Sequence, residues 1–374
     1  MSTVDIATTP SGSQRSVETL VSKLRRRQVV GSRDAALETV LVLRQVVSKA
    51  RFSNIDQLVA IIRSVGRRLV DAQPKEHSVG NTVRKVLHHI REEYNTASKG
   101  TAASSSKVTY TISNFVLQGQ PRKQTVAPKS EAIITLKEND PDDPDSFSRA
   151  LKPVLMEAIQ DVLDELETVY DNVSKNAKDH IHSDEIILTI GHSRTVESFL
   201  KQAAHYRSYT VIVAETGPSY KGHEMAQSLS AAGISTFLVP DSSIYAIMSR
   251  VNKVIIGAHA ILANGGMFAI TGSLLAATAA RVHSTPVVVC AGQFKFTPLW
   301  NLYHDFGALD FADPSSVLGF EEGSLVDNVD VLNPYYDYVG PELVDVFITN
   351  DGDHPPSSVY RLIKESYDDD DHEL

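Results

Sequence analysis

The sequence predicts an α/β protein, with an amino-terminal helical domain followed by a doubly wound, mostly parallel sheet domain. Apolar residues recur at helical spacing up to about residue 90, and from Asp184 onward short β-branched runs alternate with helical segments. These runs are apolar on both faces, which is typical of parallel strands covered by helices on both sides. With 374 residues, of which 42% are hydrophobic, the chain is long enough for two domains.

Residues 1–95 form the predicted helical domain. Apolar side chains at intervals of three and four residues define four amphipathic helices, whose apolar stripes begin at Val17, Ala36, Leu58 and Val79. The helices are short and are separated by turns that contain glycine or proline, which favours antiparallel packing.

The middle of the chain is predicted to be irregular and then helical. Residues 96–106 are small and polar, and the run Asp140-Pro-Asp-Asp-Pro-Asp145 is acidic and interrupted by proline. Residues 96–148 are therefore expected to form an irregular, partly disordered linker region. Over residues 149–180 apolar side chains return at helical spacing, from Leu151 to Leu166, which predicts one long connecting helix.

Residues 181–367 form the predicted Rossmann-like domain. Six β-prone runs define its strands, at residues 185–190, 209–214, 234–239, 253–256, 287–290 and 344–349. Parallel pairing of such strands requires right-handed crossovers. The last residues, 368–374, include four consecutive aspartates, and a run of like charges repels itself, so we expect a solvated acidic tail there.

The charge is divided unevenly along the chain. Residues 1–99 carry 17 Lys and Arg against 9 Asp and Glu, whereas the remainder carries 19 against 37, for a formal net charge of -10. An acidic protein is a poor ligand for a phosphate backbone, so DNA binding is not expected. The basic half predicts helix faces that are solvated or that dock on acidic neighbours, with weak RNA contact as the alternative. The clusters Arg25-Arg-Arg27 and Arg67-Arg68 are the candidates for acidic partners.

The single cysteine, Cys290, lies in an apolar run, so neither a disulfide framework nor a thiolate metal site is expected. The first residues lack the apolar core of a signal peptide, and no apolar stretch approaches the length that spans a bilayer. These observations predict a cytosolic protein without membrane contact.

Ligands of a doubly wound sheet bind beyond the carboxyl ends of its strands, so a site is expected in the loops that follow the strands. Polar side chains there cluster on one edge of the predicted sheet. The eight candidates are His192, Ser193, Arg194, Glu215, Lys221, His223, His259 and Asn264. We interpret them as lining a subunit interface or a vestigial pocket. Ser193 and Asp241 also precede helical segments, where capping is the expected role.

Sequence patterns for the common chemistries are missing. The chain has no G-x-G-x-x-G fingerprint, no P-loop and no G-x-S-x-G elbow. His88-His89 and His180-x-His182 have the spacing of metal-binding pairs, but neither has a third ligand at a known spacing. We therefore assign no catalytic, cofactor-binding or metal-binding residue.

Six dispersed blocks of the sequence resemble one known family. They are Gly191-His-Ser-Arg-Thr-Val-Glu-Ser-Phe199, Val213-Ala-Glu-Thr-Gly-Pro218, Gly222-His-Glu-Met225, Met248-Ser-Arg-Val-Asn-Lys-Val-Ile-Ile-Gly257, Leu262-Ala-Asn-Gly265 and Ser284-Thr-Pro286. In this order they look like the family that unites the alpha, beta and delta subunits of initiation factor 2B with sugar-phosphate isomerases. The resemblance covers essentially the whole chain. The ending Pro341-Glu-Leu-Val-Asp-Val-Phe-Ile-Thr349 with Tyr360-Arg-Leu362 points to one particular subunit type.

Enzymes of this family, such as methylthioribose-1-phosphate isomerase, use a cysteine in a T-x-C-N-A-G loop and an aspartate in a G-A-D-R loop. The matching positions in this chain are Gly191 and His259. The isomerases' E-T-R-P-x-x-Q-G-x-R pattern falls on residues 215–224, where Gly217 and Glu224 replace two arginines and Lys221 replaces the glutamine. The resemblance thus implies a retained scaffold that lacks the proton carrier and the phosphate cradle of an isomerase.

The resemblance implies a non-catalytic regulatory and scaffold subunit of the guanine nucleotide exchange factor for translation initiation factor 2. The implied partners are the delta subunit, most directly, and the alpha, gamma and epsilon subunits, in a decamer with two copies of each. Factor 2 is a further partner, through the alpha subunit whose phosphorylation the complex senses. Two alternatives stay open: a sugar-phosphate isomerase with a rearranged site, and a non-catalytic phosphosugar-binding module in which Lys221 or Arg194 meets the phosphate.

Overall fold

The computed structural model describes residues 11–102, 146–300 and 310–374. Within these ranges a helical amino-terminal part precedes a doubly wound α/β part, which confirms the predicted fold class. The helices are α1 (Ser11–Arg25), α2 (Ser32–Lys49), α3 (Ile55–Ala72), α4 (His77–Ala102), α5 (Ser146–Ser174), α6 (Ala177–His180), α7 (Arg194–Ala204), α8 (Lys221–Ala231), α9 (Ile244–Met248), α10 (Ser273–Val282), α11 (Ser324–Asn328) and α12 (Val359–Ser366). None of the helices in these ranges combines the length and the apolar composition that a bilayer crossing requires.

The four predicted amino-terminal helices are present as α1 to α4. Asn54 begins α3 by accepting a hydrogen bond from the backbone N–H of Asp56 at 3.3 Å, which satisfies one of the unpaired donors of the first turn. Helices α3 and α4 approach so closely that a Cβ on Gly66 would lie 2.6 Å from a methyl carbon of Val83. The small residue therefore sets the distance at which the two apolar stripes meet.

The connection between the two parts differs from the prediction at its start. Helix α4 continues to Ala102, so residues 96–102, predicted as the beginning of the irregular linker, are helical. A helix that is already nucleated on a buried face extends at little cost, which local composition does not reveal. The predicted linker from residue 103 to residue 145 lies outside the described residues. In place of one connecting helix over 149–180, the chain has α5 and then the single turn α6.

The six predicted strands are present in a seven-stranded sheet, and four short strands form a second sheet. The strands are β1 (Ile186–Ile190), β2 (Thr210–Ala214), β3 (Ser235–Val239), β4 (Lys253–Gly257), β5 (Ala260–Leu262), β6 (Met267–Ile270), β7 (Val287–Cys290), β8 (Phe296–Thr297), β9 (Tyr336–Val339), β10 (Val346–Thr349) and β11 (Gly352–His354). The large sheet has the order β11-β10-β7-β4-β1-β2-β3, and only β11 is antiparallel to its neighbour. Because β2 and β3 lie on one side of β1 and β4 lies on the other, the strand order reverses between β1 and β4. A crevice opens at such a switch point, where the loops after β1 and β4 separate.

The second sheet, of order β8-β5-β6-β9, is absent from the sequence prediction. Its strands have only two to four residues, too few for an alternating pattern to stand out. Strand β5 lies in the segment that follows β4, where the sequence predicts only a loop. The sheet therefore holds this loop, and with it His259, against the end of the larger sheet.

Apolar clusters cover both faces of the large sheet. The larger cluster is continuous from the helical part to the sheet and includes Val17, Leu87 and Ile348. The second cluster, on the other face, includes Ala277 of α10 and Phe347 of β10. The helical part thus shares its largest apolar cluster with the α/β part.

The carboxyl-terminal residues are not the solvated tail that the sequence predicts. Residues 368–374 turn back onto α3 and α4, and Asp371 is 0% exposed. Its carboxylate accepts hydrogen bonds from Arg63 Nε at 2.7 Å and from Arg91 Nη2 at 3.2 Å. Asp368 also pairs with Arg91. The expectation of a self-repelling, solvated run is wrong for these positions, because arginines of the helical part neutralise the charge.

Candidate functional site

A cavity of about 280 Å³ lies at the switch point of the large sheet, against the helical part. Five of the eight candidate residues line it, namely His192, Ser193, Arg194, Lys221 and His259. Four of them come from the loops after β1 and β4 and from the first turn of α7. The fifth, Lys221, is the first residue of α8. The opposite wall consists of residues 30–34, at the start of α2, and of Tyr170 on α5. The cavity therefore lies between the helical part and the α/β part.

The other three candidates, Glu215, His223 and Asn264, lie outside the cavity lining. Asn264 stabilises the turn between β5 and β6: its Nδ2 donates to the Tyr338 hydroxyl at 2.8 Å, and its Oδ1 accepts from the Gly266 N–H at 3.0 Å. His223 is exposed on α8, and Glu215 is half-buried in the loop after β2. The structure thus brings five of the eight residues together and places three elsewhere.

Gly191 is at the position where the sequence resemblance places the isomerases' cysteine, and its backbone conformation and close neighbours disfavour a side chain there. Its φ is +64°, in the left-handed region that favours glycine. A Cβ at this position would lie 2.9 Å from Cδ1 and 3.3 Å from Cγ2 of Ile270. Ile270 also lines the cavity, and its side chain would have to shift to admit a Cβ at position 191.

His259 stands where the isomerases place their aspartate, and both of its ring nitrogens are engaged. Nε2 lies 3.0 Å from the carbonyl oxygen of Lys75, which can only accept, so Nε2 carries the proton. Nδ1 then accepts from the hydroxyl of Ser32, 3.2 Å away. The ring stacks on Tyr336 with centroids 4.1 Å apart. His259 therefore joins the helical part to the small sheet, and neither nitrogen is open to a substrate proton.

His192 belongs to a hydrogen-bonded network at the start of α7. Its Nε2 lies 2.8 Å from the Glu197 carboxylate, which also accepts from Lys201 Nζ at 2.7 Å and from the Ser228 hydroxyl. Burial alone would raise the pKa of Glu197. The hydrogen bonds that its carboxylate accepts have the larger combined effect, with the one from Lys201 contributing most, and they lower the pKa to about 2. Because Ser228 lies on α8, the network ties α7 to α8. His192 anchors its loop to this network.

Four cationic side chains border the cavity, among them Arg33, which donates to the carbonyl oxygens of Leu166 and Glu167. Arg194 Nη1 lies 3.2 Å from Asp34 Oδ2, which ties the start of α7 to the start of α2. Lys295, which is not among the sequence candidates, donates from Nζ to the carbonyl oxygen of Ala258 at 2.6 Å. Burial lowers the pKa of Lys295 to about 8. Together with Lys221 and the backbone N–H groups at the start of α7, these side chains favour an anion over a cation in the cavity.

The two predicted capping residues act differently from the prediction. Ser193 precedes α7, but its hydroxyl makes no capping hydrogen bond. The Asp241 carboxylate accepts from the backbone N–H groups of Thr216 at 2.9 Å and Gly217 at 2.7 Å. Asp241 therefore fixes the loop after β2 and not the first turn of α9. Both capping predictions are wrong, because a capping rule considers only backbone N–H groups that are close in sequence.

The histidine pairs are engaged in ion-pair contacts. His88 Nδ1 lies 3.2 Å from Asp368 Oδ1, and His180 Nε2 lies 3.0 Å from Asp353 Oδ2. Among the described residues, no group of three or more His, Cys, Asp and Glu side chains converges as metal ligands do.

The fold and the cavity define a class of protein, the doubly wound α/β proteins with a site at the switch point of the sheet, here closed on one side by a helical part. Gly191 and the twice hydrogen-bonded His259 occupy the two positions where the sequence resemblance places the isomerases' catalytic residues. The profile of the Initiation factor 2 subunit family matches residues 28–356. This chain belongs to that family.

Individual relatives agree with the family assignment. The chain is 41% identical over 398 residues to the translation initiation factor eIF2B subunit beta of Schizosaccharomyces pombe, with 98% of each chain covered. It is 24% identical over 350 residues to the ribose 1,5-bisphosphate isomerase of Thermococcus kodakarensis, covering 93% of this chain and 94% of the enzyme. Among solved structures, the tetrameric eIF2B-beta2-delta2 complex from C. thermophilum contains a chain with a TM-score of 0.67 and 30% identity, and 95% of each chain is covered.

Proposed function

We propose that this chain is a non-catalytic regulatory and scaffold subunit, of the eIF2B beta type, in the exchange factor that reloads translation initiation factor 2 with GTP. One observation carries the proposal: the near full-length similarity to an eIF2B beta subunit coincides with a glycine at 191 and a twice hydrogen-bonded histidine at 259, where the resemblance places the isomerases' cysteine and aspartate. A subunit that contributes binding surface needs the scaffold but no proton carrier. In this role the chain works in the cytosol and uses no cofactor.

The proposed direct partner is a delta-type subunit. The support is the similarity, over 95% of its length, to a chain of a tetrameric beta2-delta2 complex. The alpha, gamma and epsilon subunits complete the proposed assembly, a decamer with two copies of each subunit in which epsilon carries out nucleotide exchange. The assembly binds factor 2 and slows exchange when the alpha subunit of factor 2 is phosphorylated.

The helical part offers a basic surface for an acidic or phosphorylated partner. Arg25 and Arg26 are exposed at the end of α1, and Arg67 is exposed on α3. Arg27 instead pairs with Asp310 of the α/β part. Exposed guanidinium groups suit a phosphate or carboxylate, so we place the contact with factor 2 nearer the helical part than the sheet edge.

An apolar patch at the β3 edge of the large sheet provides the proposed contact with the delta-type subunit. Phe237 is 59% exposed and Leu238 is 45% exposed, although the two side chains point to opposite faces of the strand. Tyr245 on α9 and Val282 at the end of α10 are also exposed, on two helices that pack against each other. An uncovered sheet edge with large apolar side chains associates with another surface. A partner of the same family would cover it.

Replacing Phe237 with glutamate is expected to weaken pairing with the delta-type subunit about tenfold, because loss of a central aromatic contact costs on the order of 1 to 2 kcal/mol and a buried carboxylate adds to it. Co-expression followed by analytical ultracentrifugation of the pair measures the change. Phe320→Glu is the matched control, since Phe320 is 81% exposed but lies far along the chain from the patch. Unchanged pairing of the Phe237 variant would remove the patch from the interface.

A second candidate function is non-catalytic binding of a phosphosugar. The observation that favours it is the cavity itself, which Arg194, Lys221 and Lys295 border and towards which the start of α7 presents N–H groups. Such a ligand would touch both the helical part and the α/β part. This candidate is compatible with the regulatory role, because binding needs no proton transfer.

The protein is expected to show no isomerase turnover with ribose 1,5-bisphosphate or methylthioribose 1-phosphate. Proton transfer by a positioned side chain is worth roughly 10² to 10⁴ in rate, and neither Gly191 nor the engaged His259 supplies it. The double variant Gly191→Cys with His259→Asp should also stay inactive, because Gly217 and Glu224 leave a phosphate without the two arginines of the isomerase pattern. NMR of the sugar carbons measures ketose formation, and line broadening without turnover would support phosphosugar binding. Turnover that disappears in His259→Ala would overturn the regulatory reading.

A further inference from the structure

A stripe of polar residues runs along one face of α4. His77, Asn81, Arg84, His88 and Arg91 follow one another at intervals of four, three, four and three residues, which places them in line on one side of a helix. The apolar residues of the same helix, including Val79, Val83 and Ile90, are fully buried in the core of the helical part. Helix α4 therefore presents one apolar and one polar face, and neither is left to solvent.

The first half of the polar stripe contacts the α/β part. The ring of His77 stacks on Phe268 of β6 at a centroid distance of 5.8 Å and an interplanar angle of 7°. Burial, with His259 as the next cause, lowers the pKa of His77 to about 3, so the ring packs as a neutral group. One turn further, Asn81 Nδ2 donates to the carbonyl oxygen of Phe294 at 3.1 Å.

The second half of the stripe contacts the carboxyl-terminal segment, residues 368–374. Arg84, 7% exposed, donates to the carbonyl oxygens of Asp371 at 3.0 Å and of His372 at 2.9 Å. Arg91 pairs with the carboxylates of Asp368 and Asp371. The segment follows α12 directly, and α12 packs on the sheet, so these contacts join α4 to the α/β part a second time.

We propose that the polar stripe of α4 and the carboxyl-terminal segment form a strap that holds the helical part and the α/β part as one rigid body. Ion pairs and hydrogen bonds have directions, so they fix the relative orientation of two packed surfaces that apolar contacts alone leave free to slide. The polar stripe covers about four turns of α4, which resists both translation and rotation. The consequence for regulation rests on the proposed function. In a regulatory subunit, a movement of the helical part would move the edge of the large sheet with it, because the strap joins the two parts rigidly.

The strap can be tested by the distance between two spin labels, one on each part, in the full-length chain. The single native cysteine suits this design, because Cys290 is 0% exposed and burial raises the pKa of its thiol, so the labels go to introduced cysteines. Ser48→Cys on α2 and Ser230→Cys on α8 place the labels at exposed positions. Double electron-electron resonance then gives the distribution of distances between the two parts.

The strap variant is Asp368→Asn with Asp371→Asn, and the matched control is Asp369→Asn with Asp370→Asn. Each double variant removes two carboxylates from the same segment. The control removes carboxylates that do not contact α4, because Asp369 forms an ion pair with Lys364 of α12 and the Asp370 side chain is exposed. The parent and the control are each expected to give one narrow distribution of distances. The distribution of the strap variant is expected to be at least twice as wide as that of the parent. Circular dichroism confirms that secondary structure is kept.

Where the double strap variant does not fold, Asn81→Ala tests the same joint, because it removes the hydrogen bond to Phe294 and the one that Asn81 accepts from Arg84; a smaller broadening is expected. A broad distribution in the parent, or equal widths in strap and control variants with native circular dichroism, would overturn the strap. The measurement uses this chain alone, so failure of the chain to pair with a delta-type subunit would count against the proposed function and not against the strap.

Discussion

Replacing Asp371 with alanine is expected to lower the free energy of unfolding by about 3 kcal/mol, because it removes the carboxylate that Arg63 pairs with and one of the two that Arg91 pairs with. Asp371 is 0% exposed and accepts hydrogen bonds from Arg63 and Arg91. Both arginines keep part of their surface in solvent, with side-chain exposures of 31% and 24%, which places the loss at the lower end for a buried pair. Calorimetry should record a fall in melting temperature of roughly 6 °C.

The matched control for this prediction is Asp370→Ala, which changes the net charge equally at the neighbouring position. The Asp370 side chain is exposed, and its contact with Arg63 is made by the backbone carbonyl oxygen at 2.9 Å, which alanine keeps. We expect a change within about 0.5 kcal/mol. If the two variants lost the same small amount of stability, the segment would be solvated, as the sequence pattern indicates.

The large sheet is predictable from sequence because its information is local. Strand β7, for example, is four consecutive apolar residues that are all buried, and such a run identifies itself without knowledge of its partners. The carboxyl-terminal segment carries no local sign of its partners. Arg63 and Asp371 are 308 positions apart, so a run of aspartates looks self-repelling until the fold supplies the arginines. The polar stripe of α4, by contrast, has a regular spacing that is visible in the sequence. A prediction that considers only apolar positions does not detect it.

The site is partly predictable for a related reason. The rule that ligands lie beyond strand ends finds His192 and His259, because both follow strands that flank the switch point. Lys295 follows the end of β7 by five residues, so the same rule, applied to the whole segment after that strand, would include it. Ile270 carries no such signal, because an apolar residue at a strand end is ordinary. Only the folded structure shows that its side chain lies directly beside Gly191.

Replacing Gly222 with alanine is expected to destabilise the protein by about 3 kcal/mol, the upper part of the range for overpacking a well-packed site. Gly222 is the second residue of α8, and a Cβ there would lie 2.0 Å from the backbone carbonyl oxygen of Ala214 and 2.9 Å from the carbonyl carbon of Glu215. Alanine favours a helix over glycine by about 1 kcal/mol, but this gain is smaller than the clash. The obstacle is strand backbone, so the helix itself must move away from β2.

The control for Gly222→Ala is Gly319→Ala, because the same methyl group meets open space there. Gly319 has a φ of -70°, which alanine adopts without strain, and the nearest atom to its added Cβ is the Glu321 nitrogen at 4.0 Å. We expect this variant to be neutral or to gain up to about 1 kcal/mol, since alanine restricts the unfolded chain. Urea unfolding of both variants measures the difference. Equal stability of the two would mean that α8 does not pack on the end of β2 as closely as the structure places it, and the loop after β2 would then be free to adopt another path beside the cavity.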